Sequence, residues 1–261
     1  MAIGLIIIGD EILSGKRRDQ HFPKVVELLG ARGLKLDWAE FVGDDPQRIT
    51  ATLKRTFASD DIVFSCGGIG ATPDDHTRQC AAAALGRDLR MHPEGRANIE
   101  LRIRETAHEA GREADMSTPD NVQRLKMAEF PEGASLIPNP YNRIAGFTVG
   151  RHHFVPGFPV MAWPMIEWVL DTCYPHLFHA EACGERSLVV FEQAEAALTP
   201  LMESLQETYP GVRVFSLPSV GDAATRRHIE LGVKGQPQQV DPAFADMRAE
   251  LDRVGAEYQL L

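Results

Sequence analysis

The sequence predicts an α/β protein with a mostly parallel sheet, followed by a smaller α+β unit. Three observations lead there. Strand-like and helix-like segments alternate with short links over the first part of the chain. The first strand-like run, "IGLIII", is apolar throughout, as a strand buried on both faces requires. Glycines gather where the strand-like runs stop, at Gly9, Gly43 and Gly67.

Each element follows from its own signals. After "IGLIII", the stretch "FPKVVELLGARG" spaces Phe22, Val25, Val26, Leu28 and Leu29 as one helical face, with Gly30 and Gly33 suited to its end. "LKLDWAEFVG" alternates like a strand, and "DPQRITATLKRTF" reads as a helix with Asp45 as N-cap and Pro46 at its first position. "DIVFSC" is the next strand and "DDHTRQCAAAALG" the next helix, closed by Gly86. The middle is less regular: "EGRANIELRIRETAHEAGRE" has helix formers and a mixed-sign surface, and turns, two short strands, a proline-rich loop and a closing helix follow up to Leu170. The stretch Asp171 to Gly184 marks a hinge, with a break near residue 180. Beyond it the order reads β, α, β, β, α. The division is therefore 1–170, which contains every site motif, and 171–261, a linker with a small α+β domain.

Bulk composition narrows the function classes. At 261 residues, 44% hydrophobic and 25% charged, the chain is an ordinary globular sequence. A net charge of −10 argues against an electrostatic nucleic-acid binder, although a local pocket of backbone amides can still hold an anion. The apolar start is shorter than the ~20 residues of a membrane span and lacks the pattern of a signal peptide, so a cytoplasmic protein without a membrane partner is expected. Cys66, Cys80, Cys173 and Cys183 show no paired ligand spacing and read as reduced structural thiols. His152 and His153 fall in a strand and read as a half-buried pair, not a metal site. "GVKG", Gly232 to Gly235, has the spacing of a nucleic-acid clamp but ends a strand in an acidic region, so no such role is expected.

The chemistry is concentrated in "VFSCGGIGATPDD", Val63 to Asp75. A strand that delivers Gly67, Gly68 and Gly70 into a helix start leaves N–H groups without partners, and such a loop binds phosphate or another anion. Bare glycine lets a ligand reach the backbone. Asp74 and Asp75 can cap the following helix, hold Mg²⁺ in an oxygen shell or orient a water. Two further acidic turns, Gly9-Asp10-Glu11 and Asp44-Asp45, close neighbouring strands, and in a parallel sheet those ends lie on one side, where ligands bind.

These motifs, "GDEILSG", Asp19, "VGDD", "GGIGATPDDHT", "IPNP…AGF" and "FVPGFP", occur in an order and spacing that resemble the MoaB/Mog-type molybdopterin-binding domain. Within that superfamily the closer likeness is to the amino-terminal part of the competence/damage-inducible protein A (CinA) family, over about residues 1 to 170. The tail with "FSLPS" resembles the small KH-like domain that follows in that family. The resemblance implies a three-layer αβα fold with a nucleotide or pterin-phosphate ligand at the glycine loop. It puts Gly67, Gly68, Gly70 and Thr72 on the phosphate loop and Asp74 and Asp75 on its acidic pair, with Asp44 at a position tied to metal and catalysis. Gly9, Asp10, Glu11 and Ser14 match the first loop, with Asp19 after it, and Asn139 and Gly146 match a third. Asp44, Asp74 and Asp75 are thus the implied catalytic carboxylates, and Asp44 and Asp75 the implied ligands of Mg²⁺ or another divalent cation.

The sequence departs from the family at Ala71, where proline is usual, at Gln20 and His21, and at Asn142 and Arg143 in place of small residues. The resemblance stops short of the deamidase domain of many full-length members, so nicotinamide-nucleotide deamidation is not expected of this stretch. It implies a homo-oligomeric, metal-dependent nucleotide pyrophosphatase of the ADP-ribose type. Adenylyl transfer to molybdopterin and a non-catalytic nucleotide- or pterin-binding module are the alternatives.

Overall fold

The computed structural model describes residues 1–179, 184–221 and 225–261, and Cys183 lies outside them. The chain divides into two compact units, Met1–Phe178 and His179–Leu261.

In the first unit, β1 (Ile3–Ile8) leads through the one-turn α1 (Asp10–Leu13) into α2 (His21–Gly30), and β2 (Trp38–Val42) into α3 (Pro46–Phe57). β3 (Ile62–Cys66) is followed by α4 (Thr77–Leu85). A lobe then interrupts the alternation: β4 (Leu89–Met91), α5 (Pro93–Glu109), α6 (Pro119–Leu125) and β5 (Glu129–Pro131). β6 (Ser135–Ile137), β7 (Gly146–Val149), β8 (His152–Val155) and α7 (Pro159–Cys173) complete the unit.

The six-stranded sheet has the order β2-β1-β3-β8-β7-β6. The β1–β2, β1–β3 and β3–β8 pairs are parallel, whereas β7 runs antiparallel to β6 and β8. One face packs Leu5, Ile7 and Phe64 against α2 and α7; the other packs Ile6, Ile8 and Val63 against α3 and α4. Successive residues of β1 and β3 therefore serve opposite cores, which is why both strands are buried throughout and, apart from Ser65 in β3, carry no polar side chain. Tyr174, Leu177 and Phe178 still pack against the α2/α7 core, beyond residue 170.

The caps explain where the helices start. Asp45 accepts the backbone N–H of Arg48 ahead of Pro46, as its sequence position predicts. α4 begins at Thr77, and its N-cap residue His76 makes no side-chain cap bond, so neither Asp74 nor Asp75 caps it. Gly86 closes that helix in the left-handed conformation. His152 and His153 lie buried in β8, on Thr56 and on Thr148 and Tyr174 respectively, and burial pushes their pKa values down to about 4 and about 3.

The second unit holds one antiparallel sheet of order β10-β11-β9-β12, built from β9 (Gly184–Phe191), β10 (Val212–Ser219), β11 (His228–Gly235) and β12 (Tyr258–Leu260). Helices α8 (Glu195–Thr208) and α9 (Pro237–Arg253) pack on it around Leu188, Leu231, Val240 and Met247. The "GVKG" stretch falls inside β11, and β12 is the one strand here that its sequence pattern does not announce. Among the described residues, no helix is long and apolar enough to cross a membrane.

Candidate functional site

The carboxyl ends of β1, β2, β3 and β8 all open on one edge of the sheet, where β7 begins in the opposite direction. A cavity of about 400 Å³ lies at that edge. Gly9, Glu11, Asp44, Gly67, Gly68, Gly70, Thr72, Asp74, Asp75 and Asn139 line it, so four separate loops singled out from sequence meet at one place.

The glycine loop is held from behind by its carbonyl oxygens. Thr77 donates its hydroxyl to the Gly67 carbonyl (3.0 Å) and its backbone N–H to the Gly68 carbonyl (3.0 Å). Arg78 donates to the Gly70 carbonyl (2.8 Å) and the Gln123 side chain to that of Ala71 (3.2 Å). The N–H groups of Gly68, Ile69, Gly70 and Ala71 have no protein acceptor among the described residues, and all four residues line the cavity. Four of the five carbonyls from Gly67 to Ala71 are thus occupied while four N–H groups are not, and such a loop is a cradle for an anion. Gly67, with φ of 107°, must be glycine, because a Cβ there would sit 2.3 Å from the Ile8 carbonyl oxygen. Gly70 has no positive φ; a Cβ on it would instead meet the Asp75 carboxylate at 2.6 Å. That carboxylate turns inward and accepts the Thr72 backbone N–H (2.9 Å) and its hydroxyl.

The first acidic turn is built differently. Gly9 donates its N–H to the Val42 carbonyl (3.0 Å). Asp10 and Asp44 exchange backbone-to-carboxylate bonds of 2.8 and 3.2 Å, which locks the two turns together. Burial raises the pKa of Asp44, and the nearby carboxylates of Asp10, Glu11 and Asp74 push it the same way against the bond from the Asp10 N–H. Negative charge is therefore concentrated where a cation would relieve it. Among the described residues, however, no group of three His, Cys, Asp or Glu side chains is placed to hold a metal ion.

Four residues singled out from sequence stand elsewhere. Asp10 faces a neighbouring groove. Ser14 ends α1 with its N–H on the Asp10 carbonyl (2.9 Å). The Asp19 carboxylate accepts the N–H groups of His21 and Phe22 (2.9 Å each), which fixes the start of α2. Gly146 opens β7 under the Phe154 carbonyl, 2.3 Å from where a Cβ would stand, so close packing is what requires glycine there. Asn139 lines the cavity, but its amide is spent inside its own turn, on Asn142 (2.8 Å), the Ile144 carbonyl (2.9 Å) and the Tyr141 N–H (3.0 Å). Arg143 points to Glu105 (3.4 Å) and not into the cavity, while Asn142 lines it. His21 reaches the Gly157 carbonyl (3.0 Å), and so replaces an open amide by a brace.

Sequence reasoning missed part of the lining. Met127, Ile144 and Met161 form an apolar wall, Phe158 stands at 56% exposure, and Arg17 is the lining cation. Arg17 was findable in "SGKRRD", beside the first acidic turn. Met127 was not, because it reaches the cavity only through the packing of the α5–α6 lobe.

Comparisons with known proteins identify the family. The family described as "Probable molybdopterin binding domain" matches residues 4–178. A CinA-like protein of Anaeromyxobacter dehalogenans is 35% identical over 256 residues, 90% of this chain and 60% of its own length. Another, from an Anaeromyxobacter species, is 32% identical over the same shares. The chain thus spans about 60% of the length of these curated relatives. The crystal structure of the protein CinA from Thermoplasma acidophilum, a protein of unknown function, superposes with a TM-score of 0.55 at 28% identity, over 65% of this chain and 96% of that one.

Proposed function

The chain belongs to the molybdopterin-binding-domain family, and on that premise we propose that it binds a phosphorylated heterocycle, a nucleotide or a pterin, and hydrolyses a nucleotide pyrophosphate such as ADP-ribose. The observation that carries the reading is the glycine loop, in which the carbonyls of Gly67, Gly68, Gly70 and Ala71 are tied back while four N–H donors stay free at the cavity. Those donors match a phosphate, and Arg17 adds a charged donor at the same cavity. The wall of Met127, Ile144, Met161 and Phe158 suits a flat ring, because apolar and aromatic surfaces cover ring faces without polar cost.

A divalent cation fits this site on one condition. Mg²⁺ is commonly held by one or two carboxylates together with substrate phosphates. Asp44 and Asp75, each with one oxygen already bonded to backbone, are suited to that shared arrangement and not to a protein-only cage. When bound there, such an ion would neutralise phosphate charge and acidify a water. The protein's own part is to hold the phosphate on the loop amides, seat the ring against the apolar wall and accept a proton at Glu11 or Asp44. A non-catalytic binding module is the second reading, favoured by the departures from the family pattern at Ala71 and Asn142, both of which line the cavity. Adenylyl transfer would use the same cradle.

A thermal-shift screen with ADP-ribose, ATP, FAD and molybdopterin, with and without Mg²⁺, tests binding, since a ligand of the native state raises the midpoint. Turnover assays on the hits follow. Stabilisation without turnover selects the binding module; no stabilisation by any of the four overturns the reading. We extend the reading to a homo-oligomer, which a monomeric sedimentation profile at micromolar concentration would remove.

A further inference from the structure

Arg78 is 4% exposed, yet it makes no ion pair among the described residues. Its guanidinium donates to three backbone carbonyls: Gly70 on the glycine loop (2.8 Å), Lys126, and Glu129 at 3.4 Å. Its Nε is buried without an acceptor. A buried cation lacking a bonded counter-ion is costly, and burial alone lowers its pKa, with Asp75 and Glu129 opposing from a distance. A side chain that only filled space there would be apolar.

The residues that Arg78 joins explain the expense. Lys126 and Glu129 flank Met127 in the turn between α6 and β5, and Met127 lines the cavity. Gln123, at the end of the same lobe, holds the Ala71 carbonyl. The loop carbonyl of Gly70 would otherwise be free to rotate toward the ligand and carry its oxygen into a site that needs N–H donors. We propose that Arg78 is a positioning residue for the anion: it pins the Gly70 carbonyl backward so that the Gly68–Ala71 amides face the phosphate, and it sets a buried positive charge beneath them. This rests on the proposed phosphate site for its ligand, but its effect on the loop is independent of any ligand. Lys keeps the charge and loses the fork that spans two segments; Met keeps neither.

The full chain and its Arg78→Lys, Arg78→Met and Gln123→Ala variants test this by two measurements. In ligand-free protein, ¹⁵N relaxation of Gly68, Ile69, Gly70 and Ala71 should show new motion in Arg78→Met while Gly9 and Asp10 stay as in the parent. In calorimetry with ADP-ribose, Arg78→Met should bind about tenfold more weakly, the loss of a charge-assisted bond, with Arg78→Lys in between and Gln123→Ala within about threefold of the parent. If Arg78→Met unfolds, Arg78→Lys carries both measurements with the same expected direction. Unchanged loop relaxation together with parental affinity overturns the proposal, as does a lowered melting temperature with neither change. Should the parent bind no ADP-ribose, the functional reading falls, and relaxation alone still decides the role of Arg78.

Discussion

Two turns at the sheet edge look alike in sequence and behave oppositely in structure. Gly9-Asp10-Glu11 follows β1 and Gly67 to Asp75 follows β3, each a bare backbone running into carboxylates. The first spends two of its three donors internally, the Gly9 N–H on Val42 and the Asp10 N–H on Asp44. The second has the carbonyls of Gly67, Gly68, Gly70 and Ala71 bonded from behind and keeps four donors free. Glycine content therefore does not make an anion site; what makes one is where neighbouring donors and acceptors are already committed. The first turn contributes charge to the rim, and the second contributes the cradle.

The largest expected effect separates the two glycines. Gly67→Ala forces a Cβ against the Ile8 carbonyl as well as a strained φ, and should cost ~3 kcal/mol or more in urea denaturation. Gly9→Ala shares a strained φ, 156°, but its Cβ meets the movable Glu11 carboxylate first and not backbone, and it should cost roughly 1–2 kcal/mol. Equal losses would break the distinction drawn between the turns.

Next comes the rim. Asp44→Asn should reduce cation-dependent turnover of ADP-ribose by at least about tenfold while leaving affinity without the cation near the parental value. Full activity of the parent in excess chelator would remove the cation from the scheme, and with it the role of this carboxylate.

Smaller effects sharpen the role of the loop acid. Asp75→Asn keeps an acceptor for Thr72, so phosphate affinity should stay within about twofold; Asp75→Ala frees Thr72 and should cost about fivefold. Calorimetry on both variants decides, and identical behaviour would mean that Asp75 does not shape the loop.

The smallest effect is a titration. With its pKa raised by burial and neighbouring carboxylates, ionised Asp44 lowers stability at neutral pH. That penalty should fade as pH falls through the raised value, and be gone below the ordinary carboxylate range. Carboxyl ¹³C chemical shifts in ligand-free protein should place the Asp44 midpoint above that range, and Asp10→Asn should change it. A midpoint at or below the ordinary value would contradict the charge crowding at the rim.

The alternation of "IGLIII", "DIVFSC" and the helices between them determined the parallel sheet, because burial on both faces leaves almost no polar position in a strand, Ser65 being the exception in these two. Helix starts followed local capping chemistry at Asp45, and the glycine–acid motifs brought out the loops of the cavity. The α6 helix and the β4–β5 pair were not legible, being short segments whose apolar residues divide between cores, Leu125 and Met91 on a small one with Ile99 and Ile103 and Phe130 on the α3/α4 side of the sheet. Gly146 packs under the Phe154 carbonyl of the neighbouring strand, a contact set by strand pairing, whereas Asp19 fixes a helix start by bonds two and three residues along the chain and is local. Residue type and spacing along a chain specify period, caps and turns, which are local. Which hydrogen-bond groups remain free is a sum over partners from distant segments, such as Thr77, Arg78 and Gln123 behind one loop, and only tertiary structure performs that sum.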